Sequence, residues 1–163
     1  MVMEYIFIVI FLAAIYIVYK VSSKENNKNS ISFMETFNLT EMPIVTFFAG
    51  DTKINFLIDT GSSQSFISNN SSSLITGTEA VCEMSVTSAQ GTEDMTCKMI
   101  ETVLTYKDRD YDVKLFVNKS LDVSFSDLKN QKGIVLHGIL GSDFLDKYSY
   151  VMDFEKYLAY PKK

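Results

Sequence analysis

The chain has no tryptophan, one histidine, two cysteines and two prolines in 163 residues. One His and two Cys cannot assemble the four-ligand set of a structural zinc site, so no metal and no cofactor are expected. Basic residues are outnumbered, 15 against 20, for a net charge of -5. A nucleic-acid surface should be basic, so no nucleic-acid partner is expected. No internal repeat runs through the sequence, and the tripeptide Asp59-Thr60-Gly61 occurs once. With 47% hydrophobic residues, this is one domain's worth of chain with enough apolar content for a core.

Polar residues are also missing from Tyr5 to Tyr19, which is apolar or aromatic throughout. The run approaches the roughly 17 residues that span a bilayer. Tyr5, Tyr16 and Tyr19 lie toward its ends, where interface anchors sit. A cleaved signal peptide is the rival, but a basic leader and a small-x-small cleavage site are absent. A buried core helix would show a polar face, and this run has none. Residues 1–20 are therefore expected to be an uncleaved single-pass transmembrane helix. Lys20, Lys24 and Lys28 follow it and no base precedes it, which places the body of the protein in the cytoplasm. Residues 21–40 read as a flexible tether, polar and without apolar period from Ser22 to Ser32. Phe33 to Thr40 is open between a first edge strand and a dimer arm. Residues 41–163 form the folded domain.

Within that domain, Ile44–Phe48 and Lys53–Ile58 read as a hairpin around Ala49-Gly50-Asp51-Thr52. Its second strand, ending Phe56-Leu57-Ile58, runs straight into Asp59-Thr60-Gly61-Ser62-Ser63. An apolar strand thus delivers a carboxylate to its tip. Gly61 permits a tight backbone beside the acid, and Thr60, Ser62 and Ser63 supply hydroxyls. Taken alone the tripeptide is ordinary turn chemistry. A second motif changes the balance: Ile134-Val135-Leu136-His137-Gly138-Ile139-Leu140-Gly141, followed by a short helix capped by Ser142 or Asp143. Between the two lie alternating segments Val81–Thr87 and Thr92–Ile100 around Ser88-Ala89-Gln90-Gly91. A further hairpin, Thr102–Tyr106 with Tyr111–Val117, precedes a polar connection over 118–133. That connection can hold a short helix, with Leu121, Val123, Phe125 and Leu128 able to cover the core. Strands at Tyr148–Phe154 and Tyr157–Tyr160 close the chain.

The paired motifs, in this order, resemble the retropepsin-like aspartic proteases over roughly residues 43–161. The resemblance implies an all-β acid-protease fold: a closed, strongly bent antiparallel sheet with a flap hairpin and one short helix. It makes Ser88, Ala89, Gln90 and Gly91 the flap tip and Asp59 the catalytic acid. It also implies that Thr60 reaches across a dimer, that Gly61 donates its backbone N–H to the carboxylates, and that Ser62 hydrogen-bonds the outer carboxylate oxygen. Ile139, Leu140 and Gly141 would pack beneath or beside this loop. The family's mechanism needs two aspartates and one chain brings one, so the implied active form is a homodimer. Its substrate would be an extended polypeptide bound by strand pairing, with apolar residues flanking the cut. The chain departs from retroviral enzymes at Ser142, where they carry Arg; cellular and bacterial relatives tolerate the change.

Three readings therefore stand: a membrane-tethered dimeric aspartic endopeptidase, an inactive binding module with the same fold, and a membrane-anchored adaptor whose acidic loop is incidental. His137 reads as a packed or hydrogen-bonded residue. Cys82 and Cys97 are equidistant from the turn at Ala89-Gln90 and can face each other. A disulfide is sterically open to them; a reducing compartment favours free thiols.

Overall fold

A computed structural model describes residues 29–88 and 91–162, with Leu12, Ile15 and Tyr16 before them; at 84–88 and 91–95 the description is of backbone. The chain divides into Met1–Ser30 and Ile31–Lys163. The expected membrane span lies, apart from those three residues, outside the described residues. Among the described residues no helix is long and apolar enough to cross a membrane.

The second unit is built on ten strands. In chain order they are β1 (Ile31–Ser32), β2 (Ile44–Ala49), β3 (Thr52–Ile58), β4 (Phe66–Ser68) and β5 (Thr78–Ser88), followed by β6 (Gly91–Tyr106), β7 (Arg109–Asn118), β8 (Gly138–Leu140), β9 (Tyr150–Asp153) and β10 (Leu158–Pro161). Three helices join them: α1 (Met34–Thr40), α2 (Ser120–Lys132) and α3 (Ser142–Lys147). Alternation sets the faces. In β3 Ile54, Phe56 and Ile58 are buried, and in β7 Tyr111, Val113 and Leu115 turn inward while Asp112 and Lys114 face solvent.

The large sheet has the order β2-β3-β8-β4-β7-β6-β5, and β2 also pairs with β6 through Phe48 and Thr105. That extra pairing closes six strands into a barrel, from which β5 and β6 continue as a long hairpin. A small sheet, β1-β10-β9, joins the two ends of the unit. The core runs through the barrel, from Phe47, Phe56 and Leu104 to Leu140, Phe144 and Tyr150, with a smaller cluster of Ile44, Phe125, Ile134 and Leu136.

Several expectations are corrected. The sheet is mixed rather than antiparallel: β3 runs parallel to β8, and β4 parallel to β7. For β3 and β8 the cause is the connection through α2, which returns the chain to lie beside β3 in the same direction. Among the described residues of this unit there are three α-helices where the resemblance implies one, and a 3-10 turn follows β4 at Asn69–Leu74. The expected tether ends early. Ile31 (0% exposed) and Phe33 (1%) are core residues, and α1 occupies Met34–Thr40 where a strand or arm was expected. Phe33 and Phe37 face the same side one turn apart and stack on Phe154 and Tyr157, which fixes the helix against the small sheet.

Candidate active site

The two sequence motifs meet side by side. In the parallel β3–β8 ladder Ile58 stands opposite Leu140 and Leu57 opposite Ile139, while Ile139 also faces Phe66 across the antiparallel β8–β4 pair. β8 is thus wedged between the strand that enters the Asp59 loop and the strand that leaves it. Gly138 makes the wedge possible, since a Cβ there would come within 2.4 Å of the Phe66 carbonyl oxygen.

Asp59 follows β3 directly and is half-buried. Its N–H donates to the Leu140 carbonyl at 2.9 Å, which anchors the residue to the buried end of β8. The Gly61 N–H donates to Asp59 Oδ1 at 2.9 Å, and the Ser62 N–H to the Asp59 carbonyl at 3.2 Å. Thr60 and Gly61 are exposed. The carboxylate therefore sits at an open rim, one oxygen held by a backbone amide. The Ser62 hydroxyl donates to the Gln64 carbonyl at 2.7 Å, a bond within the loop itself.

A second layer holds this loop. The Ser65 hydroxyl, on a residue 1% exposed, donates to Asp143 Oδ1 at 2.7 Å and accepts the Gly141 N–H at 3.0 Å. The Ser65 N–H donates to Asp143 Oδ2 at 3.1 Å, and the Ser142 N–H to the Ser62 carbonyl at 2.8 Å. Neither Ser65 nor Asp143 was singled out from the sequence as a site residue. Asp143 was expected to be one of two candidate caps for the short helix. Instead Gly141 occupies the cap position without a side-chain hydrogen bond, and both Asp143 oxygens reach back to Ser65. The available signal was weak, because Ser65 is one of four serines between Gly61 and Asn69. Gly141 is close-packed here, because a Cβ would meet the Gln64 carbonyl oxygen at 2.5 Å and the Ser62 carbonyl oxygen at 2.7 Å.

His137 is a structural residue of this ladder. Its Nδ1 accepts the Asn55 backbone N–H at 3.0 Å, while the His137 backbone N–H donates to the Asn55 carbonyl at 2.9 Å. Burial pushes its pKa below the usual histidine value. The imidazole is then neutral with its proton on Nε2. Of the four flap residues, Ser88 and Gly91 stand opposite each other at the end of the β5–β6 ladder, and Ala89 and Gln90 lie outside the described residues. Among the described residues no three His, Cys, Asp or Glu side chains group as a metal site.

Comparison with known proteins places this geometry in a family. The profile of a family described as aspartyl protease matches residues 45–144, from β2 into the first turn of α3, and the chain belongs to that family, in its retropepsin-like form. Among solved structures it is similar to EIAV protease complexed with the inhibitor HBY-793, at 19% identity over 68% of this chain and 90% of that one, with a TM-score of 0.47. No match was found among curated protein sequences.

Proposed function

We propose that the protein is an aspartic endopeptidase that works as a homodimer, with Asp59 of each copy forming one catalytic pair. The observation that carries this reading is the half-exposed Asp59 carboxylate at the tip of a buried strand, held by the Gly61 N–H and backed by Leu140. Family membership supplies the reaction class. A lone carboxylate cannot both accept a proton from water and donate one to the substrate in the same step. Two carboxylates a few ångströms apart cannot both ionise cheaply, so the pair shares a proton. The ionised member takes a proton from water as that water attacks the scissile carbonyl. The protonated member hydrogen-bonds the carbonyl oxygen, and the proton taken from water passes to the leaving amine as the intermediate collapses. The two apparent pKa values belong to the pair. The substrate is an extended polypeptide paired along strand edges.

In the same reading, residues 1–20 tether the enzyme to a membrane in a single pass, with the folded unit in the cytoplasm. The support is the apolar run Tyr5–Tyr19 and the lysines that follow it. Deleting residues 1–20 should release the protein from membranes, and continued attachment would remove the tether from the proposal.

The catalytic test is cleavage of a mixed peptide library by the full-length protein. Asp59→Asn should lower cleavage at least about 100-fold, the scale of lost general acid–base catalysis, with the fold unchanged by circular dichroism. Adding excess Asp59→Asn protein to wild type should also suppress wild-type cleavage, because mixed pairs carry one acid. Equal cleavage by both proteins would refute the assignment of Asp59. An unchanged wild-type rate in the mixture would refute the shared site.

A further inference from the structure

The only two cysteines of the chain lie on one hairpin, and the structure brings them together. Cys82 of β5 is the direct partner of Cys97 of β6, the sixth rung back from Ser88 and Gly91. Their sulfurs are 3.4 Å apart, both thiols are free, and Cys82 Sγ also reaches the Cys97 carbonyl oxygen at 3.6 Å. Opposed residues of an antiparallel pair have Cα atoms about 4.5 or 5.5 Å apart. Both spacings fall inside the range of roughly 4.4–6.8 Å that a disulfide bridges. Register usually decides against a cross-strand disulfide, and here it does not: a slip of one residue would put the two side chains on opposite faces.

We propose that Cys82 and Cys97 form a reversible dithiol–disulfide site that couples the stiffness of the β5–β6 hairpin to the surrounding thiol–disulfide balance. The oxidant is a low-molecular-weight disulfide such as oxidised glutathione. Cys82 gives its proton to solvent and its thiolate attacks one sulfur of the oxidant. One glutathione leaves as a thiolate and is reprotonated. Cys97 then loses its proton and attacks the sulfur of Cys82, forming the Cys82–Cys97 bond and expelling the second glutathione. Two protein S–H bonds become one S–S bond, and the two electrons and two protons end on two glutathione thiols.

The surroundings allow this without disturbing the core. A cavity of about 400 Å3 opens beside Cys97, lined also by Phe66, Phe116 and Val117, so the sulfur is not enclosed by packed side chains on that side. Burial, with the neighbouring Cys82, pushes the Cys97 thiol up to about 11. A thiol raised in this way reacts faster as pH rises, because the thiolate is the attacking form. Both cysteines are half-buried and neither sits in the barrel core. The cross-link leaves the backbone ladder in place and removes only the freedom of the two strands to splay. This inference is independent of the proteolytic reading, because its readouts are covalent state and backbone exchange.

The experiment treats full-length wild-type protein, Cys82→Ser and Cys97→Ser with oxidised glutathione, and follows mass, free thiols and amide hydrogen exchange. Wild type should lose both free thiols with no adduct retained and remain a single chain on a non-reducing gel. The single-serine variants have no resolving thiol and should each hold one glutathione. Exchange of the hairpin amides should slow at least about threefold in the oxidised wild type and recover with dithiothreitol, as expected for local opening suppressed by a cross-link. Stable glutathione adducts on wild type, disulfide-linked pairs of chains, or exchange unchanged on oxidation would each overturn the proposal.

Discussion

Ser65→Ala tests whether the Asp59 loop is held from behind. The substitution removes one hydroxyl and with it two hydrogen bonds, to Asp143 Oδ1 and from the Gly141 N–H. A hydrogen bond to a charged acceptor contributes about 1.5–3 kcal/mol, and leaving a buried amide without a partner costs about 1–3 kcal/mol. The Ser65 N–H keeps its bond to Asp143 Oδ2, so the carboxylate retains one donor. A loss of about 3 kcal/mol follows, a large share of the roughly 5–15 kcal/mol that stabilises a typical domain. Urea unfolding followed by circular dichroism should show the midpoint falling by about 1.5 M at an unchanged slope near 2 kcal/mol/M. Asp143→Ala should cost a similar amount. The double variant should cost clearly less than the sum, because both changes remove the same contact. Cleavage should weaken as well, since the Ser142 N–H and Ser62 carbonyl bond is part of the same layer. A cost below about 1 kcal/mol for Ser65→Ala, with the two single changes additive, would refute the reasoning.

Three further outcomes are expected. Gly141→Ala forces a Cβ into the Gln64 and Ser62 carbonyls and should destabilise by about 3 kcal/mol or prevent folding, more than Ala at Gly50, where no atom lies within 4 Å of the added carbon and the cost is that of a left-handed φ of +60° alone; thermal unfolding of the two variants makes the comparison. His137 has a folded pKa below its unfolded value of 6.5, so the unfolded chain binds the proton first; the stability of the wild type should fall as pH drops through about 6.5 and continue to fall until the folded pKa is passed, and His137→Gln should flatten that slope in urea titrations across pH. A protein starting at residue 34 lacks the buried Ile31 and Phe33 and should be less stable by about 3–6 kcal/mol than one starting at residue 29, at roughly 1.5–3 kcal/mol per buried side chain; equal unfolding midpoints would return those residues to the tether.

What could be read beforehand was whatever is written in consecutive residues. The Phe56-Leu57-Ile58 run into Asp59, the hairpin turns and the closing strands are local patterns, and the family follows from two such patterns in order. The parallel pairing of β3 with β8 is not local: it depends on where α2 returns the chain. That helix had a partial signal in Leu121, Phe125 and Leu128, spaced to lie on one face, but Ser and Asp residues between them favour turns as readily. α1 was hidden by its length, since seven residues with no buried side chain of their own are too few to show a period. The Ser65–Asp143 contact joins residues 78 apart in sequence, and nothing adjacent to either announces it.

The β1–β10 pairing has a mechanical consequence. Ile31 lies opposite Ala159 and Ser32 opposite Leu158, so the first strand and the last strand of the unit are one seam. A force applied to the main chain at Ile31 loads β10 before it can reach the barrel. Opening that seam would expose Ile31 and Ala159 while leaving the Asp59 loop, on the other sheet, in its place.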